Sequence, residues 1–145
     1  EKGAELELAM KPIIAHSTRH YYRAYFRKDL GAQRCDALLK EIKPLYYCRK
    51  CGHRGLKSCK HEGLKLGPMY TGKINNFKLD NEYIKSLNQE DKYPPWHYHN
   101  DEFRFHNEPK RETLLKKYNA VRSHYEPKAF KTNKSFKEMK QITFP

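Results

Sequence analysis

The feature that most restricts the fold of this chain is a short segment with three cysteines and a histidine. Cys48 and Cys51 form a Cys-x-x-Cys pair, and Cys59 and His61 follow within the next ten residues. Two thiolates three residues apart can chelate one metal ion, and Gly52 permits the tight backbone turn that follows such a pair. Three sulfurs and one imidazole make a tetrahedral ligand set that suits structural zinc. The segment therefore predicts a zinc-knuckle-like insertion held by these four ligands.

Two other interpretations of this segment stay open. A zinc ribbon repeats the two-residue gap, but Glu62 occupies the position three after Cys59, so His61 has to ligate in a cramped Cys-x-His arrangement. A degenerate knuckle without metal is therefore the main alternative. A redox pair is disfavoured, because the pair follows a predicted strand and precedes a glycine instead of starting a helix. The fourth cysteine, Cys35, lies on the apolar face of a predicted helix and is interpreted as a small buried hydrophobic residue.

The chain is strongly basic, and the excess charge is unevenly distributed. Its 145 residues include 30 Lys and Arg against 17 Asp and Glu, a formal net charge of +13. Residues 19–60 carry a net +9 and residues 109–145 a net +7, whereas the rest of the chain is slightly acidic. A small domain needs a net charge of only about 2–8 to stay soluble, so solubility alone does not account for +13. Because 13% of the residues are aromatic, wholesale disorder is disfavoured, and we expect a folded domain that binds a polyanion.

No targeting or membrane-spanning segment is found in the sequence. Residues 1–10 lack the basic start and apolar stretch of a signal peptide, and no run of about 18 apolar residues occurs. We therefore expect a cytoplasmic protein with reduced cysteines and no membrane partner.

The hydrophobic pattern predicts an α+β fold with a small mixed sheet. Strands are predicted at 13–17 and 21–28, followed by a helix over 32–42, a break at Pro44 and a strand at 45–48. This strand–helix–strand unit is compatible with a parallel pair and leads into the zinc-knuckle-like insertion. The remaining predicted elements are a strand at 67–74, a short helix capped by Asp80, a C-terminal helix–strand segment at 109–119 and 121–125, and a weakly patterned tail from residue 128.

Catalytic motifs are missing from this sequence. Its seven glycines form no phosphate-binding loop, and no nucleophile elbow or paired carboxylate motif occurs. The histidines at 97, 99 and 106 match no metal-binding helix spacing and are interpreted as surface residues. The pattern is typical of a binding module.

Four segments, in this order, resemble the C-terminal domain of the tRNA guanine-26 N2-dimethyltransferases, which methylate the exocyclic amine of a guanine in tRNA with S-adenosylmethionine. They are KPIIAHSTRHYYRAYFRKDLGAQRCDALL at 11–39, YYCRKCG at 46–52, Cys59 followed by GLKLGPMYTGKI at 63–74, and YNAVRSHYEPKAFKTN at 118–133. The chain departs from the family pattern at Glu62, where a fourth cysteine is common. It departs again at 96–112, where relatives look longer.

The resemblance implies that residues 1–145 are a C-terminal tRNA-binding domain. Its predicted sub-parts are 1–92, a mixed α/β region with the cysteine knuckle, and 93–145, a basic helix–strand segment. The resemblance also implies a catalytic methyltransferase domain before residue 1, which binds S-adenosylmethionine and carries an Asp-Pro motif that this chain lacks. The expected partners are therefore tRNA and that catalytic domain, and the expected cofactors are S-adenosylmethionine, bound by the catalytic domain, and zinc.

Methylation of a stacked guanine requires extrusion of the base and a firm grip on the surrounding RNA. Structured RNA is held mainly through phosphate and ribose contacts and through stacking on planar groups. One face of the strand at 21–28 offers both, with Tyr21 and Tyr25 alternating with arginines, although a solvated sheet face or packing against the catalytic domain would produce the same pattern. The candidate RNA-binding residues are Arg19, Arg23, Arg27, Arg122, His124, Lys128, Lys131 and Lys134.

The alternative function is a free-standing basic zinc-ribbon-like protein that binds RNA or the ribosome without catalysis. Its charge pattern and cysteine knuckle would be the same, and it would need no methyltransferase domain.

Overall fold

The computed structural model describes residues 2–18, 20–61, 63–74 and 80–144. Within these ranges the chain forms short helices and three small sheets, which confirms the α+β class. All the strand pairs of the described residues are antiparallel, so the predicted parallel pair is wrong. The helix that was expected to cross between parallel strands instead links a hairpin to a separate sheet.

The first sheet is a long hairpin that follows a single turn of helix, α1 (Lys2–Glu5). Strand β1 (Leu8–Ser17) pairs with β2 (Tyr22–Leu30) along its full length, with one bulge between residues 12 and 14. Both predicted strands are therefore confirmed, and both are longer than expected. Every residue of β2 except Asp29 is exposed, so neither face of this strand is buried.

Helix α2 (Ala32–Leu39) buries Cys35, as the helical spacing predicts. The helix ends three residues earlier than expected, because Ile42 begins strand β3 (Ile42–Tyr47) and pairs with Tyr70. Pro44 does not break this strand. It lies at a register shift in the ladder, where a missing N–H is tolerated.

The second sheet frames the cysteine segment. Strand β3 lies between β4 (Arg54–Gly55) and β5 (Leu64–Tyr70). Strand β5 begins three residues earlier than predicted, because the Gly-Pro pair at 67–68 lies inside the strand and does not form a turn before it. Gly67 has φ +90° and lies inside the strand, opposite the register shift in β3. A short helix, α3 (Glu82–Glu90), follows and is capped by the Asn81 side chain and not by Asp80.

The third sheet and two helices form the C-terminal part of the fold. Strand β8 (Ala129–Thr132) lies between β6 (Tyr98–His99) and β7 (Ala120–Arg122). Helix α4 (Arg111–Tyr118) starts two residues later than predicted, and α5 (Phe136–Lys140) falls in the tail that the sequence left unassigned. All four residues of β8 are buried. A central strand that is buried on both faces does not alternate between apolar and polar residues, so the sequence pattern does not mark it as a strand.

The core of the described residues is built largely from aromatic rings and lies in the C-terminal part. Its buried members are Tyr98, Phe103, Leu114, Tyr118, Phe130 and Met139. Outside this cluster many large apolar side chains remain exposed, among them Leu6 at 77% and Tyr22 at 79%. None of the helices in the described ranges is long and apolar enough to cross a bilayer.

Truncation of the core leucine tests this distribution of packing. Leu114 is fully buried, so Leu114→Ala should lower the free energy of unfolding by about 2–5 kcal/mol through lost burial and a residual cavity. Leu6→Ala is the matched control, because an exposed side chain should change the same quantity by less than about 0.5 kcal/mol. Equal effects in urea unfolding of the two variants would contradict the assignment of the core.

Candidate metal centre and basic surfaces

The turn that contains Cys48 and Cys51 directly follows the end of β3. The backbone N–H of Cys48 donates to the carbonyl of His53 (2.9 Å), and that of Gly52 donates to the carbonyl of Cys48 (2.8 Å). Gly52 has φ +68°, a left-handed conformation that glycine adopts at low cost. These bonds fold the Cys-x-x-Cys pair into a closed loop.

The structure brings the four predicted metal ligands together. The ligand atoms of Cys48, Cys51, Cys59 and His61 all lie within 4.8 Å of one another. The sulfurs of Cys51 and Cys59 are 3.7 Å apart, and the Cys59 sulfur lies 3.8 Å from His61 Nδ1. A Zn–S distance of about 2.3 Å and tetrahedral angles place two sulfurs about 3.8 Å apart. The donor set and its spacing therefore fit a four-coordinate zinc ion.

Local electrostatics favour a thiolate in this cluster. The pKa of Cys48 is lowered, first by the backbone N–H of Cys51 and also by the neighbouring thiols, against the opposing effect of burial. The backbone N–H of His53 lowers the pKa of Cys51, but burial and the Cys48 and Cys59 sulfurs together outweigh it, so that pKa is raised. Adjacent sulfurs thus compete for one negative charge, a conflict that a bound cation would remove.

The three histidines of the region 96–107 form no metal-binding group in the parts of the chain that the structure describes. Their assignment to the surface is correct for the exposed His106 alone. His97 stacks on Tyr125 with ring centroids 6.0 Å apart, and burial lowers its pKa. His99 caps the 3₁₀ turn at Asn100–Glu102 by accepting the N–H of Asp101.

The knuckle is anchored to the C-terminal core. Arg54, on β4, pairs with Glu102 at 2.6 Å, and its guanidinium lies 4.5 Å from the centroid of the Tyr98 ring. A Cβ atom on Gly52 would collide with the Phe136 ring. The cysteine loop therefore packs directly on α5 and beside β6.

The hairpin candidates are exposed cations. Arg23 lies over the Tyr21 ring at 4.3 Å, and Arg27 pairs with Asp29 at 2.9 Å while its side chain remains 61% exposed. Arg19 falls outside the described residues. The predicted alternation of tyrosine and arginine is therefore displayed on an open surface.

Three candidate RNA-binding residues of the C-terminal part are less accessible to a phosphate than the hairpin arginines. Arg122 pairs with Glu112 at 3.3 Å and Lys128 with Asp101 at 3.1 Å, but both cations stay exposed. Lys134 is half-buried beside the end of β8.

The last two candidates are buried around a carboxylate that the sequence did not single out. Glu90, only 2% exposed, accepts hydrogen bonds from the backbone N–H of His124 (2.8 Å) and from its Nδ1 (2.9 Å). Lys131 Nζ lies 3.8 Å from the other Glu90 oxygen, and burial lowers the pKa of this lysine. Glu90 is the last residue of α3, so its contacts with His124 and Lys131 connect α3 to β8 and the loop before it. As positioned, neither His124 nor Lys131 is on the open surface.

Comparison with known proteins identifies the family. The family model described as N2,N2-dimethylguanosine tRNA methyltransferase matches residues 1–104, well over half of the chain. The chain belongs to this family. A tRNA (guanine(26)-N(2)/guanine(27)-N(2))-dimethyltransferase from Aquifex aeolicus is 26% identical over 96% of the chain and 44% of its own length. A tRNA (guanine(26)-N(2))-dimethyltransferase from Sulfurisphaera tokodaii is 29% identical over 95% of the chain and 46% of its own length.

The fold also recurs in a solved protein structure. Trm1 from Pyrococcus horikoshii, determined with S-adenosyl-L-methionine, superposes with a TM-score of 0.67 at 20% identity. The alignment covers 94% of this chain and 44% of that one. The chain thus spans less than half the length of these relatives. The similarity to the solved structure, at this identity, establishes the fold.

Metal analysis tests the ligand cluster. Protein purified without chelator should contain about one zinc per chain, whereas Cys51→Ser should retain less than about 0.2 equivalents, because one lost thiolate breaks the tetrahedral set. Cys35→Ala is the matched control, because that thiol lies in α2 and outside the cluster. Wild-type protein with less than about 0.2 equivalents would favour the metal-free knuckle.

Neutralising the buried carboxylate tests the link between α3 and β8. Glu90→Gln should lower the free energy of unfolding by about 3 kcal/mol, because it leaves the buried Lys131 without its anion. Glu82→Gln, on the same helix with a 92% exposed side chain, should have little effect. If both variants unfold at the same denaturant concentration as wild type, the buried group contributes nothing to the fold.

Proposed function

We propose that this chain is the tRNA-binding part of a tRNA guanine N2-dimethyltransferase. In this proposal it grips tRNA while a separate domain of the same protein, which binds S-adenosylmethionine, methylates the exocyclic amine of the guanine. Family membership supports the reaction class, and the 44–46% coverage of the first two relatives supports a catalytic domain outside these residues. A tRNA substrate is also consistent with the cytoplasmic location expected from the sequence.

The exposed cationic and aromatic hairpin is the observation that carries the RNA-binding role. Strand β2 presents Arg23, Arg27 and Lys28 to solvent, and Tyr21 and Tyr25 are 43% and 46% exposed. Arginines next to accessible rings can contact phosphates and stack on unpaired bases. No carboxylate of the described residues pairs with Arg23, so its charge is available to an anion.

The second basic block supplies further phosphate contacts in this proposal. Arg122, Lys128 and Lys134 are the candidates that reach the surface of the C-terminal part, at least in part. The carboxylate partners of Arg122 and Lys128 are themselves exposed, and such surface pairs contribute only about 0–1 kcal/mol, so a phosphate can compete for these two cations. We leave His124 and Lys131 out of this contact surface because they are buried.

The catalytic domain is the partner that we propose for the apolar side of the hairpin. A groove of about 540 Å³ opens between the hairpin and α2 and is lined mainly by apolar side chains. Met10, Phe26 and Leu39 contribute to it and are 36–50% exposed. An uncovered apolar groove of this kind marks an interaction surface. The relatives' additional length supports a covering domain of the same protein.

The alternative is a free-standing basic RNA- or ribosome-binding protein with a zinc ribbon. The coding sequence separates the two proposals: an open reading frame that continues upstream by about 200 residues, the scale of an added domain, supports the methyltransferase. A start codon directly before Glu1 would contradict it.

Salt-dependent tRNA binding tests the role of the chain itself. In a gel-shift assay the affinity should fall steeply as salt rises, because phosphate contacts release counterions. Arg23→Gln should weaken binding and reduce the slope of log K against log salt by about 1. Lys85→Gln is the charge-matched control, because that lysine is paired with Asp80 and Glu82 on the surface of α3. Absent or salt-insensitive binding would contradict an RNA-binding role.

Methyl transfer gives the complementary measurement. The chain alone should incorporate no labelled methyl group from S-adenosylmethionine into tRNA, since we assign the donor site to the separate domain. Measurable incorporation would overturn that assignment.

A further inference from the structure

A cavity in the C-terminal part combines aromatic walls with a basic rim. It lies between the loop at 102–106 and the last residues of the described chain, 139–144, and its volume is about 590 Å³. The rings that line it are Phe103, Phe105, Tyr118 and Phe144. Phe105 and Phe144 are half-buried and nearly perpendicular, with centroids 5.3 Å apart and an interplanar angle of 86°. Together they form an apolar corner that is partly open to solvent.

The charged groups at this cavity are mainly cations without acidic partners. Arg104 and Lys140 line it, and among the described residues neither of the two makes an ion pair. The one carboxylate in the lining, Glu102, is already engaged. One of its oxygens pairs with Arg54 at 2.6 Å, and the other accepts the backbone N–H of His99 at 2.7 Å. The cavity therefore presents uncompensated positive charge.

The wall formed by the C-terminal residues is held in place. Lys117 Nζ donates to the carbonyl of Thr143 at 2.7 Å and lies 4.9 Å from the centroid of the Phe144 ring. Tyr118 meets the same ring edge to face, with centroids 5.5 Å apart. These contacts fix the Phe144 ring before any ligand arrives, which limits the entropy lost on binding.

We propose that this cavity binds one unstacked nucleotide of an RNA strand. The base would pack in the corner of Phe105 and Phe144, and the adjoining phosphate would lie against Arg104 and Lys140. A planar apolar body joined to an anion is the ligand that matches an aromatic wall with an unpaired basic rim. Since stacking tolerates any base, the cavity favours unpaired nucleotides without reading their sequence. The inference rests on the proposed tRNA-binding function and adds a defined contact to it.

Fluorescence of a short RNA strand tests the cavity directly. The probe is a single-stranded hexanucleotide that carries 2-aminopurine, whose emission is quenched when the base stacks on a ring. Phe144→Leu keeps an apolar side chain but removes the ring, so it should weaken binding about tenfold and abolish the protein-dependent quenching. Phe144→Tyr restores a ring and should behave like wild type, which separates loss of stacking from loss of fold.

Salt titrations of the same probe test the rim. Arg104→Gln and Lys140→Gln should each lower the slope of log K against log salt by about 0.7, the value for one phosphate contact on a single strand. Lys116→Gln, an exposed lysine on α4 outside the cavity, is the charge-matched control and should leave quenching unchanged. Phe144→Leu should leave the slope unchanged, because stacking involves no counterion release.

The outcomes separate this inference from the proposed function. If Phe144→Leu binds and quenches the probe like wild type, the cavity is not a nucleotide site, even where wild-type protein still binds folded tRNA. If wild-type protein binds neither tRNA nor the probe, the proposed function fails as well. Binding of a peptide with acidic and aromatic side chains in competition with the RNA probe would also overturn the assignment to a nucleotide.

Discussion

The packing of aromatic rings around Phe103 is the interaction on which the rest of this structure depends. Its ring contacts those of Phe136 and Tyr118 at centroid distances of 5.0 and 5.5 Å, so a loop, α5 and α4 meet at one residue. Only 37% of the residues are hydrophobic, and a basic surface requires many of the others to be charged. Large rings bury much apolar area per residue and thereby compensate for the small number of apolar side chains.

This concentration of packing leaves the N-terminal hairpin with little core of its own. Strand β2 is exposed along nearly all its length, and large apolar side chains such as Tyr22 and Leu30 face solvent. The C-terminal core is joined to the cysteine knuckle by the Arg54–Glu102 pair and to α3 by the buried group around Glu90. Polar links of this kind fix orientation through geometry, whereas the apolar groove at the hairpin is the surface that we propose for a second domain.

Local pattern predicted much of the fold and the grouping of the four candidate metal ligands, and tertiary context decided the rest. The alternation in the hairpin, the helical spacing around Cys35 and the spacing of the four ligands are all short-range signals, and the structure bears out each placement. Two RNA-binding candidates, His124 and Lys131, turned out to be buried, because their environment depends on Glu90, which is distant in sequence. No local signal marks a lysine whose partner lies on another element. Strand β8 was missed for a related reason, because a strand buried on both faces shows no alternation.

The contact between Gly52 and Phe136 gives the cysteine loop a second constraint. The left-handed backbone alone would admit an asparagine at position 52, as it does at Asn119. The Phe136 ring removes that option, because it occupies the volume of any side chain there. Two positions far apart in the sequence are therefore coupled in what they can accept. A side chain at position 52 therefore requires a smaller residue at position 136, so the knuckle turn and the last helix can change only together.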